Sequence, residues 1–582
     1  MLSEEKSSSS SSSSSSFSST LIVHLFVVGF HHKKGHQIEY SYPLLSEPHD
    51  DQWSNIASLA LPDGAHNRDK DLIYFHIPSN TKQTLFGIAA YRQIDAHSLI
   101  NKDADVTRNS IQKSVCLILR QPLYGNVSEE LELITEKYFE GKDFNKTDLF
   151  QEFVDNINKN PPEFDLKYFS ARDLVKQYRR KTLILFKLIL LQKKVLFMLS
   201  PIENLVKTIL TLVSLIPELI CNGLNECTLI GEKSNIETLI NLHENEDIVF
   251  DRNDEKQQID FDNIKLKTIK IDEDDISTTS NDIQQEQEQD TTKTNIIKRA
   301  TSITSKLTDT FNRLTTTPTT ATTTTNTSNI ILNYSVDLTH LDQFHFPIQL
   351  FNQNNLLHPY LSLNNLDLLN NSNVNSYVIG ASNGLFRQQN NIDIIINDQD
   401  EDFLIQSTLL KTQLQLTTAD LRFTQLFEDS DNGIKSEEEI RRLFLNYFLS
   451  LLAVAQTPND EAMNDFNSTF VQSFQMTEAF RLWQLKGPYP HFDQIIPRHP
   501  QAGQLNVTDV KLRVSHVLDD TETGRKLKGA FEDTSQFMGE KSRAATKVLG
   551  QAKNSLFSSV IGTINHGKQW LAKPPQSPSE QE

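Results

Sequence analysis

Three histidines and two lysines crowd one short stretch, "GFHHKKGH" at Gly29–His36. Imidazoles at such spacing could ligate a metal or move protons. A metal shell needs further ligands, and no cysteine or local carboxylate cluster completes one, although Glu39 lies nearby. A second candidate is "LPDGAH", where Asp63 and His66 could be part of an acid/base pair. It has no nucleophile beside it, and Pro-Asp-Gly is also a turn sequence. Cys116, Cys221 and Cys227 are odd in number, far apart and without C-x-x-C spacing, which argues against a disulfide framework or a zinc site. They point to a reducing compartment. Phosphate-binding, nucleophile-elbow, kinase and H-E-x-x-H motifs are all missing. These absences leave no residue assigned to catalysis, to a cofactor or to a metal, and shift the expectation toward binding.

The histidines must be held by something. "LIVHLFVVGF" reads as a buried strand, and "HQIEYSYP" alternates Ile38, Tyr40 and Tyr42 with polar neighbours. Two strands around a short Gly-containing loop predict a hairpin, with His31, His32 and His36 in or beside its turn. "DLIYFHIP", "TLFGIAAYRQI" and "SVCLILRQPLYG" predict more strands, and "SEELELITEKYFEG" an amphipathic helix. Together they predict a mixed domain up to about residue 160.

The most apolar stretch runs from Thr182 to Ile220. Lys187, Lys193, Lys194, Glu203 and Lys207 interrupt it. A membrane-spanning helix needs about 20 mostly apolar residues, and a central charge costs about 2.5–3.5 kcal/mol on insertion scales. The stretch divides more simply into helix, strand and helix. Ser170 and Asp173 start a helix reaching about Gln192, and "VLFML" is a buried strand. Ser200, Pro201 and Glu203 then supply N-cap, first-turn proline and capping acid for a second helix that Pro217 helps end.

The 582 residues carry 56 Lys and Arg against 75 Asp and Glu, a formal charge of −19. An acidic chain is poorly suited to general nucleic-acid binding, so no nucleic-acid partner is expected. Residues 1–19, with an unbroken serine tract and no secretory pattern, predict disorder. So do residues 231–335, acidic and then Thr-rich, which cannot bury enough apolar surface to offset chain entropy. Beyond them come strand-like "LLHPYLSL", "NSYVIGASNGLF" and "NIDIIIND", with Gly380 and Gly384 suited to bends. Helices come next. Thr417/Asp420 and Ser436/Glu439 have capping-box spacing, and "FNSTFVQSFQMTEAFRLWQL" is amphipathic. In the tail, Leu549, Leu556, Val560 and Ile564 recur among lysines. That pattern suits a helix on a membrane surface. It equally suits a weakly helical tail that docks on protein or stays disordered.

Several strings resemble, in order, the Avl-nine late secretory pathway family. They are "FVVGFHHKKGHQIEYSYP", "LALPDGAHN", "FGIAAYRQI", "QKSVC", "PLYG", "LILFKLILLQKKVLFMLSP", "GASNGLFRQQ" and "TTADLRF". The family is similar to the wider DENN-domain group. "LLQKKVLFML" resembles the leucine-rich, doubly charged helix-to-strand junction of the DENN core. "GASNGLF" is similar to a G-x-T-N-P-x-F turn, from which Ser382 and Gly384 depart.

The resemblance implies a mixed α/β fold. A longin-like lobe would occupy residues 20–160. A Rossmann-like DENN core would use 161–230 and 336–430, interrupted by the 231–335 insertion. A helical region at 431–525 and a tail at 526–582 would complete the chain. It further implies a regulator of late secretory vesicle traffic that promotes GDP release from a Rab-type or Arf-type small GTPase, with no cofactor of its own. The GTPase would bring Mg²⁺ and nucleotide. The alternative is a trafficking scaffold that binds GTPases or longin-type partners without exchange. Either would be a cytoplasmic protein recruited peripherally to Golgi-derived secretory vesicles or recycling endosomes, with the tail touching membrane. The resemblance names no GTPase-contact residues.

Overall fold

The computed structural model describes residues 20–31, 33–45, 51–101, 109–231, 344–397 and most of 403–505, with a few positions beyond. His32, the serine tract, the tail and all but the first residue of the 231–335 segment lie outside the described residues. Both large sheets belong to one compact unit, to which the described residues up to 504 belong.

The fold is mixed α/β, with two five-stranded sheets of different construction. The first contains β1 (Ile22–His31), β2 (Gly35–Tyr42), β3 (Lys70–Pro78), β4 (Thr84–Asp95) and β5 (Ser110–Leu119). Their order is β2-β1-β5-β4-β3, antiparallel throughout. The expected hairpin is β1–β2, and Gly35 takes the left-handed conformation its turn needs, φ 76°. Helix α1 (Ile56–Ala60) lies against the sheet, α2 (Tyr124–Glu140) packs on β4, and α3 (Asp148–Lys159) packs on β1.

The second sheet contains β6 (Lys194–Met198), β7 (Asn355–His358), β8 (Ser376–Gly380), β9 (Ile394–Asn397) and β10 (Leu404–Ile405). Its order is β10-β9-β6-β8-β7, parallel except for β10. Val195, Leu196 and Phe197 of central β6 are wholly buried, as expected of a parallel strand covered on both faces. Gly380 ends β8 where an added Cβ would sit 2.1 Å from the Pro359 carbonyl oxygen. Gly384 has open space around it and an ordinary φ, so the bend there does not require glycine.

Three expectations need correction. The single helix from Ser170 to Gln192 is two, α4 (Ala171–Tyr178) and α5 (Lys181–Leu190), broken at Arg179 with φ 47°. Only one face of α4 is buried, whereas α5 is buried almost all round, so one straight helix could not serve both. The next helix, α6 (Ile202–Val213), has Pro201 at its N-cap, and Ser200 does not cap it. The stretch "FNSTFVQSFQMTEAFRLWQL" forms two helices, Ser468–Gln475 and Glu478–Leu485. Exposed Met476 lies at the break, and the Thr477 hydroxyl caps the second helix.

Lys187, the charge inside the apolar run, is wholly buried on α5. Its Nζ donates to Asp420 Oδ2 at 2.5 Å and to the Phe466 carbonyl at 3.1 Å. Tyr447 Oη donates to Asp420 Oδ1 at 2.9 Å, and His499 Nε2 lies 3.3 Å from that oxygen. Burial pushes the Asp420 carboxyl up, but Lys187 and His499 outweigh it and hold the group down at about 2. Asp420 also closes the capping box with Thr417. This cluster ties α5 to helices Thr418–Gln425 and Glu437–Gln456, the latter with its expected Ser436/Glu439 box. Among the described residues no helix is long and apolar enough to cross a membrane.

Candidate functional site

In the histidine hairpin the described side chains hold the turn and its neighbours. His31 Nδ1 accepts the backbone N–H groups of Lys33 and Lys34, each at 3.2 Å, which fixes the turn. Glu39 points to Lys113 on β5 and pairs with it. Among the described residues no three His, Cys, Asp or Glu side chains gather as a metal shell. Asp63 and His66 do not form an acid/base pair. His66 is exposed, and the Asp63 carboxylate accepts from Asn383 Nδ2 at 3.2 Å.

That bond leads to a groove that local sequence did not announce. Gly64, φ 83°, completes the Pro62-Asp63-Gly64 turn. The turn docks on the "GASNGLF" segment after β8. Ser382 Oγ donates to the Asp63 carbonyl at 3.1 Å, and the Asp63 N–H donates to Tyr360 Oη at 3.3 Å. Ser382 therefore contributes a hydroxyl to this contact. Farther along the same loop, Arg68 Nη2 donates to Ser200 Oγ at 3.2 Å.

Asp71 comes next, at the start of β3. It accepts the N–H groups of Ile202 at 3.2 Å and Glu203 at 2.9 Å, and of Leu72 at 3.0 Å. A carboxylate from the antiparallel sheet thus caps α6, beside the helix's positive dipole end. Burial raises the Asp71 pKa, opposed by those three N–H groups and by Arg68.

These contacts frame a groove of about 480 Å³. Asp63, Arg68 and Asp71 come from the antiparallel side. Met198, Ala381 and Asn397 stand at or just past the carboxyl ends of β6, β8 and β9. Open parallel sheets commonly bind at that end. Arg387 completes the wall and sends its Nε to Met198 Sδ at 3.2 Å. The groove therefore gathers three strings that lie apart in the sequence: "LALPDGAHN", "VLFMLSP" and "GASNGLFRQQ". Sequence reasoning does not single out Arg68, Asp71, Tyr360 or Arg387. Their partners are distant in sequence, so no local spacing signals them. A second groove of about 410 Å³ is more apolar and is lined by Leu215, Ile216, Pro217, Leu219, Arg442 and Leu445.

A Cys/His neighbourhood lies deeper, between β3 and β7. His76 Nδ1 donates to the Leu357 carbonyl at 2.8 Å, so its Nε2 accepts from Tyr124 Oη. Cys227 Sγ is 3.5 Å from His76 Nδ1. It resembles a nucleophile couple only in composition. Burial pushes the Cys227 thiol up to about 12 and lowers His76 to about 3, so neither group is poised to react. His358 Nδ1 donates to the His76 carbonyl at 3.2 Å and is lowered by burial to about 4. These groups join the sheets as neutral hydrogen-bonding partners.

Comparison with known proteins places the chain in a family. The family described as "Transport protein Avl9" matches residues 22–455. Over 195 residues the chain is 35% identical to "Late secretory pathway protein avl9" of Schizosaccharomyces pombe, covering 33% of this chain and 41% of that protein. Over 233 residues it is 30% identical to "Late secretory pathway protein AVL9" of Saccharomyces cerevisiae, covering 35% of this chain and 30% of that one. Each match thus spans less than half of the relative's length. With a family match that takes in both sheets and every wall of the groove, the chain belongs to the Avl9 family of transport proteins.

Proposed function

We propose that this protein serves late secretory vesicle traffic, from Golgi to plasma membrane, by binding a Rab-type small GTPase and promoting release of its GDP. In this reading the antiparallel sheet with α2 and α3 is a longin-like lobe. The parallel sheet is a Rossmann-like DENN core, and the helices from Glu437 onward complete it. The protein is recruited peripherally to Golgi-derived secretory vesicles or recycling endosomes. The names of its relatives support the pathway, and the DENN resemblance supports the exchange step.

The observation that carries the reading is the polar groove where the two sheets meet. It is open, rimmed by arginines and bounded by rigid strand ends, as a protein-docking surface requires. Exchange needs no covalent intermediate. It needs a surface that binds the nucleotide-free GTPase more tightly than the GDP-bound form, so that GDP leaves faster. The raised thiol of Cys227 and the hydrogen-bonded His76 fit a protein that works by binding.

Fluorescent GDP release from a panel of purified Rab and Arf GTPases tests this. Acceleration of one or a few at substoichiometric amounts is expected. Binding without acceleration, with the chain folded and a control exchange factor active, would replace the exchange reading with the scaffold reading.

A further inference from the structure

We propose that the groove takes an acidic segment of a protein partner, whose carboxylates pair with Arg68 and Arg387. This rests on the reading of the groove as a docking surface, and it names the chemistry of what docks. The two arginines line one groove from segments attached to different sheets, and they bond Met198 at the end of β6 and Ser200 just after it. Arg68 precedes β3 of the antiparallel sheet, and Arg387 lies beyond β8 of the parallel one. Both are exposed. Arg68 donates to a serine hydroxyl and Arg387 to a thioether sulfur, and neither forms an ion pair among the described residues. In a chain with 75 acidic and 56 basic residues, carboxylates are plentiful. Arg68 acts on the Asp71 carboxylate without forming an ion pair with it, and Arg387 has no ion pair among the described residues, so two exposed guanidinium groups in one groove are set to receive carboxylates from elsewhere.

The groove's own acids do not fill that need. Asp71 spends its oxygens on three backbone N–H groups, and Asp63 accepts from Asn383. The same contacts favour a peptide carboxylate over a phosphate. At the carboxyl ends of parallel strands, a phosphate is normally held by the N–H groups of the next helix. At α6 those donors are already taken by Asp71. A phosphate dianion would also lie close to two carboxylates. A singly charged side chain on an otherwise neutral segment meets less repulsion, and a groove of about 480 Å³ admits several side chains. Leu385, in the same turn as Arg387, is 44% exposed and offers the segment an apolar contact.

The test uses the full chain and an array of peptides tiling the surfaces of Rab and Arf GTPases. Each acidic peptide is paired with its Asn/Gln counterpart. The strongest acidic binder is then titrated by fluorescence polarisation against wild type, Arg68→Gln, Arg387→Gln and the double variant. Their melting temperatures should match, because both side chains are exposed. A second double variant, Arg68→Lys with Arg387→Lys, keeps the charge. The expected result is preference for acidic over amide peptides and roughly 5- to 10-fold weaker binding for each single Gln variant. The double Gln variant loses about 50-fold, the Lys pair recovers part of it, and added salt weakens binding. Equal binding of acidic and amide peptides would overturn the inference. So would unchanged binding by the folded double Gln variant, or displacement of the peptide by inorganic phosphate. Acidic-peptide binding without GDP release from any GTPase would keep this inference and defeat the exchange reading. GDP release without acidic preference would do the reverse.

Discussion

The two sheets solve the same problem in different ways. The antiparallel sheet is assembled largely from neighbours in sequence: β1 meets β2 across a hairpin, and β3, β4 and β5 pair in order. The parallel sheet has strands of two to five residues drawn from 194 to 405, and its central strand precedes the long 231–335 segment. Its first crossover helix, α6, is capped by Asp71 of the other sheet, 131 residues from Ile202. Next to it, α5 joins the C-terminal helices through the buried Lys187–Asp420 pair and through Phe186, which packs on Phe444, Tyr447 and Phe448. The antiparallel half is therefore expected to tolerate polar damage, and the parallel half to depend on a few long-range polar contacts.

The sharpest contrast is between two lysine pairs. Lys187–Asp420 is wholly buried, whereas Lys113–Glu39 has its carboxylate side chain 41% exposed. Asp420→Ala leaves a buried ammonium without its counter-charge and should cost about 3–5 kcal/mol. Glu39→Gln keeps an amide oxygen beside Lys113, whose side chain is only 9% exposed, and the acid's side stays open to water, so it should cost less, about 1–2 kcal/mol. Urea midpoints of the full chain measure both, and equal shifts would break the comparison.

Acidification should act next. His76 and His358 are lowered to about 3 and 4, and burial also lowers His499 against the pull of Asp420. All three folded values lie below the unfolded one. Their contribution is thus fully present above about pH 6.5 and is lost as pH falls through the folded values. Between those limits the unfolded chain binds up to three more protons, so stability should fall by as much as about 4 kcal/mol per pH unit. His76 and His358 lie where the sheets meet and His499 among the C-terminal helices. Thermal melts from pH 7 to 4.5 should therefore show this loss. His358→Gln should flatten the slope, and an unchanged slope would remove His358 from the account.

Two glycines give a smaller and more local test. Gly380→Ala would press on the Pro359 backbone and should cost about 1–3 kcal/mol. The cap on α6 comes below that. Asp71→Ala should cost about 1 kcal/mol, and hydrogen exchange should reveal it as earlier opening of α6 rather than of β3. The smallest effect is expected at the second glycine. Gly384→Ala meets open space and should change stability by less than about 1 kcal/mol.

Much of the antiparallel half is legible in the residues themselves. Alternation in "HQIEYSYP" and the glycine after two lysines predict the β1–β2 hairpin, which the structure contains. Both capping boxes, Thr417/Asp420 and Ser436/Glu439, are also legible, because they are local. The α4–α5 break is not. Nothing in the residue type of Arg179 favours a left-handed backbone, and the break arises from what each helix must bury. Sequence spacing assigns the cap on α6 to Ser200, because the true acceptor is far away in the chain. Lys187 carries a signal beyond its argument against a membrane span. An isolated lysine in an apolar helix also implies a buried acid, and Asp420 is that acid. The groove is hidden for the same reason as the cap. Its walls come from residues 63–71, 198–202 and 381–397, and only tertiary structure joins them.

If the polar groove between the sheets is the working surface, a bound GTPase must cover it. Hydrogen–deuterium exchange on the full chain, with and without the nucleotide-free GTPase that scores in the release panel, tests it most directly. The account predicts protection over residues 61–71, 198–203 and 381–387 upon binding. Protection confined to the apolar groove around 215–219 and 442–445, or none in the presence of any GTPase, would contradict it.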